Sequence, residues 1–150
     1  MTADDYDFEK LAREIVLTQL SGMAEKAPEA AAQAARRILV SGVTSTHQRQ
    51  DPHLTVTAVC RGILGGMMVA NQDLPQTVVL TLQQLGDASH EVPLSPEDLM
   101  TWAMEGFASV AVVAGPRAMD AIEAEIESKI MGAGTVFRNL CEEARNRGRA

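Results

Sequence analysis

Aromatic residues make up only 3% of this 150-residue chain: Trp102, Tyr6 and three phenylalanines. Sheets gain much of their stability from aromatic and β-branched pairs, so this scarcity disfavours a β-sandwich. The interior must instead be built from Leu, Ile, Val, Met and Ala, a set suited to helix packing. Cysteine is almost as scarce. Cys60 and Cys141 stand far apart, in neither a CxxC nor a metal-ligand spacing, which excludes a disulfide framework and leaves reduced thiols and a cytoplasmic location as the expectation. The acidic start Met1-Thr2-Ala3-Asp4-Asp5 lacks the basic and then apolar profile of a signal peptide, and no N-x-S/T acceptor occurs. The longest apolar stretch, 54–70, carries Arg61 near its centre with several Thr and Gly residues. It reads as a buried helix, so no membrane association is expected.

Basic charge is also in deficit. A formal net charge of −7 argues against a dominant nucleic-acid contact, because binding to phosphate needs a clustered basic surface. The charge is distributed in blocks. Residues 93–127 hold seven acids against Arg117, whereas 30–50 hold Arg36, Arg37 and Arg49 with no acid. Such blocks suit solvated helix faces and basic residues near helix C-termini.

What the chain does have is 46% hydrophobic and 22% charged residues, a globular composition. A chain of this length buries about 70% of its unfolded surface as one domain. The prolines act as punctuation. Asp51-Pro52, Asp73-Leu74-Pro75 and Ser95-Pro96 each place a capping side chain before a proline suited to the first helical turn. Pro28 and Gly115-Pro116 mark two further starts. Apolar spacing of three and four then predicts helices near 5–22, 28–41, 52–71, 75–85, 96–114 and from 116 onward. The alternation Val78-Leu80-Leu82 also permits a short strand. The last helix, if continuous from Pro116 to Arg145, would be about 45 Å long, and Gly132 and Gly134 are the places for a break. No internal repeat of 20–50 residues and no linker stands out. The expected fold is therefore all-α: one domain over 1–150, a bundle of five or six helices with the fifth helix inside and the third packed tightly against it.

The most distinctive pattern lies in the third helix. Ala58, Gly62, Gly66 and Ala70 recur every four residues, with Gly65 beside them, forming a ridge of small residues that lets helix backbones approach. Each interior glycine costs roughly 1 kcal/mol relative to alanine, so the ridge needs a compensating contact. That contact is another helix of the same chain, a helix across an oligomer interface, or a ligand. Methionines form a second pattern. Met67 and Met68 follow the ridge, while Met100 and Met104 share a face of the fifth helix. Flexible thioethers fill irregular cores or line adaptable apolar pockets, here one between the third and fifth helices.

Patterns that would carry chemistry are weaker. His47, Asp51 and His53 are close in sequence, yet a helix starts between them, so their spacing does not set a metal site on one face. Ser41, Ser45 or Cys60 with His47 or His53 has no nucleophile elbow around it. Glu123, Glu125 and Glu127 disperse over a helix, and Gly132-Ala133-Gly134 lacks both the third glycine and the preceding strand of a dinucleotide site. No catalytic residue, metal ligand or cofactor is therefore nominated. The functional expectation is a non-enzymatic module that forms a homo-oligomer or binds a protein partner, with Ala58, Gly62, Gly66, Ala70, Met67, Met100 and Met104 as interface candidates. The alternative is an apolar small molecule held by the same residues. A third reading is an enzyme with a polar site in the 41–53 loop.

Overall fold

The computed structural model describes residues 6–20, 22–44 and 50–148. Seven α-helices are present among them: α1 (Phe8–Ile15), α2 (Ala27–Thr44), α3 (Pro52–Val69), α4 (Leu74–Asp87), α5 (Pro96–Ala114), α6 (Pro116–Lys129) and α7 (Ala133–Gly148). A π-helical turn, Val16–Leu20, prolongs α1, and short 3-10 turns lie at Ala24–Lys26 and Ser89–Glu91. No described helix is long and apolar enough to cross a membrane.

The punctuation works as expected. Asp51 accepts from His53 N at 2.9 Å, Asp73 from Gln76 N at 3.0 Å and Ser95 from Asp98 N at 3.1 Å, each ahead of a proline in the first turn. These caps satisfy amides that the first helical turn leaves without partners. Gly115 turns the chain from α5 into α6 at φ +114°, a backbone region that favours glycine.

One expectation is corrected and one alternative is set aside. The helix count is seven, one more than the upper expectation, because the last helix is two. Lys129 ends α6, Gly132 adopts φ +87°, and α7 starts at Ala133. The segment 75–85 is helical, since Val78, Val79, Leu82 and Leu85 are all buried along one side of α4 and the Val-Leu alternation is incidental to it. The fifth helix runs 96–114 as read.

The helices form two layers. The odd-numbered ones stack in the order α1, α3, α5, α7, and the even-numbered ones in the order α2, α4, α6. Every extensive helix contact joins nearest or next-nearest helices. This is the packing logic of helical solenoids. It carries a period that residue identity conceals. Every buried residue of α5, from Leu99 to Ala111, has a buried counterpart 44 positions earlier in α3, from Thr55 to Met67. The side chains at these positions mostly differ (Cys60 and Met104, Leu64 and Ala108), while Pro52 and Pro96, and Gly62 and Gly106, coincide. The absence of a repeat in the sequence is thus no absence of a repeat in the packing.

The core has two clusters with α3 as the wall between them. Val59, Ile63 and Met67 face a cluster completed by α1 and the alanines of α2. Val56, Cys60 and Leu64 face a second cluster that runs from α4 to α7 and includes Phe107 and Phe137. On α1 and its π-helical turn, Phe8, Ala12, Val16 and Leu20 are buried at intervals of four, one continuous stripe.

Candidate functional site

The small-residue ridge is occupied from within the chain. A Cβ on Gly62 would lie 2.2 Å from Glu9 O and 2.8 Å from Ala12 Cβ, and one on Gly66 would lie 2.8 Å from Val16 Cβ. Helix α1 therefore rests its backbone on Gly62, with its π-helical continuation over Gly66. Ala58 on the same helix and Ala70 at its C-cap are partly buried, and a Cβ on Gly65 would have no neighbour within contact distance. The close approach of α3 to α5 is made by a different glycine, Gly106, whose Cβ would fall 2.6 Å from Thr57 O. Met67 is fully buried in the cluster beneath α1. The seven candidates do not converge: Gly62, Gly66 and Met67 belong to the α1 contact, whereas Met100 and Met104 belong to another surface.

That second surface is an apolar groove of about 400 Å³. Leu82 of α4, Pro96, Met100 and Met104 of α5, and Ile130 and Ala133 of the α6–α7 turn form its walls, with Glu97 and Thr101 at the margin. Its position follows from the broken last helix, which brings Ile130 and Ala133 over the first two turns of α5. Beside it stands Met131, 94% exposed. The turn that carries Met131 is held firmly. Glu127 accepts hydrogen bonds from Gly132 N at 2.9 Å and Gly134 N at 3.0 Å, and Ala133 N donates to Ile130 O at 3.1 Å. Glu127 thus caps α7 from the end of α6.

A polar cavity of about 310 Å³ lies between α6 and α7. Glu123 and Arg138 form a two-point ion pair along its wall, and Arg145 reaches the Met119 sulfur at 3.9 Å. Its charged groups are already paired across the hairpin or open to solvent. Burial, with the Glu123 carboxylate adding to it, pushes the Cys141 thiol up to about 11.

Only part of the 41–53 loop lies among the described residues. Ser45 and His47 lie outside them, and Ser41 is exposed on the last turn of α2. Cys60 is fully buried, and burial pushes its thiol far above the ordinary range, opposite to what a nucleophile requires. His53 pairs instead with Glu105 at 2.9 Å and stacks on Trp102, with ring centroids 4.7 Å apart and planes 17° apart. Periodicity could not show this cluster, since it joins two helices whose residues are 52 positions apart. His90 is exposed on the turn after α4, beside Glu91. Among the described residues no group of three potential metal ligands forms.

Comparison with known proteins finds no matching family model, no matching curated relative and no matching solved structure.

Proposed function

We propose that this chain is a non-enzymatic binding module that takes an apolar side chain of a protein, either a second copy or a different partner, into the Met100–Met104 groove. One observation carries the reading: this groove of about 400 Å³ is apolar, open and lined by flexible thioethers. Side chains of this kind adapt to the shape of an incoming residue, and apolar area removed from water supplies roughly 25 cal/mol per Å². The test is native mass spectrometry and sedimentation of the wild type beside Thr101→Arg, which places a charged side chain at the groove margin without altering the core. Loss of association or partner capture in Thr101→Arg, with helicity unchanged, is the expected result. Association equal to wild type in that variant and in Met100→Glu would remove the groove from consideration.

A second reading is favoured by size alone. Small-molecule sites span roughly 300–1,000 Å³, a range that includes this groove. Added mass on a monomer, displaced by Thr101→Arg, would place an apolar small molecule there instead.

A further inference from the structure

We infer that the groove's occupant is Met131 of a second copy of this chain, in a two-fold symmetric contact that rests on the binding-module reading above. A two-fold contact is self-complementary, so the surface must carry both a projection and a recess that fits it, side by side. Met131 is 94% exposed, a large apolar side chain held away from its own core. It directly follows Ile130, which lines the recess. In its own chain Met131 points to solvent, but a partner turned about an axis between projection and recess receives it against Met100, Ile130 and Ala133, the partly exposed apolar residues of the groove. The projection is also preorganised. The Glu127 bonds to Gly132 N and Gly134 N fix the turn before any partner arrives, so little ordering is left to oppose association.

Charge at the margins fits the same arrangement. Glu97 borders the groove on the first turn of α5, and Lys129 ends α6 directly before Ile130, which lines it. Neither makes an ion pair with another described residue. The same two-fold axis, between projection and recess, sets each Glu97 towards the partner's margin that carries lysine. This local complementarity offsets the long-range repulsion between two chains of net charge −7, which is screened beyond about 8 Å at 0.15 M salt.

The experiment is sedimentation equilibrium at 0.15 M salt over a concentration series, on the wild type, Met131→Ser, Glu97→Lys, Lys129→Glu and the double variant Glu97→Lys/Lys129→Glu. A reversible dimer is expected. Met131→Ser should weaken it about tenfold for each buried methionine, hence about a hundredfold per dimer. Each single charge reversal should weaken it, and the double variant should recover the wild-type dissociation constant. Met131 and Glu97 are exposed, so native helicity in the variants keeps the comparison valid. A dimer indifferent to Met131→Ser and to the charge reversals would overturn the inference and locate the interface elsewhere. A monomer throughout would also overturn it. In that case an amphipathic leucine-rich peptide that binds the wild type but not Thr101→Arg would leave the binding-module reading standing, and a peptide that binds neither would remove both.

Discussion

His53 Nε2 meets Glu105 Oε1 at 2.9 Å across α3 and α5, and the separation of 52 residues is the one that divides Glu9 from Arg61, paired at 3.0 Å across α1 and α3. The two pairs are one packing period apart with the charge order reversed: acid then base in the first, base then acid in the second. Both are half-exposed, where ion pairs contribute little, about 0–1 kcal/mol. Backbone stacking therefore sets the geometry, and the charges conform to it.

Trp102 reports on this contact because it is the sole tryptophan. His53→Ala uncovers one face of the indole, so emission should move to longer wavelength and acrylamide quenching should increase. His90→Ala should change neither. Stability should fall by less than about 1 kcal/mol. Emission identical to wild type in His53→Ala would contradict the stacked geometry.

Two neighbouring glycines of α3 should respond in opposite directions. Gly62→Ala drives a Cβ against the Glu9 carbonyl, so α1 must move away. Overpacking of this kind costs about 1–3 kcal/mol, or a Tm lower by several degrees at about 2–4 °C per kcal/mol. Gly65→Ala meets nothing and should raise stability by up to about 1 kcal/mol through helix propensity. Thermal melts of the two variants decide this, and equal shifts would be inconsistent with α1 lying on the ridge.

Glu127 is the cap on which α7 depends. Removing it in Glu127→Ala should cost about 1–2 kcal/mol. Hydrogen exchange at Gly132 and Gly134 should accelerate more than exchange in α3. Glu127→Gln, which keeps an acceptor without the charge, should retain part of the protection.

Cys141 should make stability fall in alkali. Its thiol is held at about 11 in the folded chain against an ordinary value of 9.0, so above pH 9 the unfolded chain releases a proton that the folded chain retains. Fewer protons on the unfolded state means stability declines as pH rises, from about pH 9 to about pH 11. Urea titrations at pH 8 and pH 10.5 should show a drop that is smaller in Cys141→Ala. At pH 8 the native thiol should react with a disulfide reagent about a hundredfold more slowly than an unperturbed thiol, because the thiolate is the reacting form. Fast native labelling would contradict the burial.

The elements were largely legible in the sequence, because proline in the first turn is a local signal that α3 to α6 all carry, after a capping side chain in α3, α4 and α5 and after Gly115 in α6. The boundaries of α5 follow from Ser95-Pro96 and Gly115 alone. Gly132 offered the break before α7 as one of two possibilities, and only its left-handed φ decides between them. Partners were less legible. A ridge at every fourth residue defines a face, but not which helix lies on it, and Gly62 received α1 rather than α5. Met100 and Met104 were visible as a pair, whereas Leu82, Ile130 and Ala133 reach them only through the two-layer stack. The 44-residue period was hidden because packing repeats burial, and burial survives the exchange of Cys60 for Met104 and of Leu64 for Ala108.

Since no extensive contact among the described helices reaches beyond the next helix but one, assembly never has to wait for α1 and α7 to find each other. Short-range closure of this kind favours fast folding. A nascent chain can settle α1, α2 and α3 together before α7 has been synthesised, and heat should peel the array from its termini inward like a zipper. The helices in the middle, gripped on both sides, should be the last to let go.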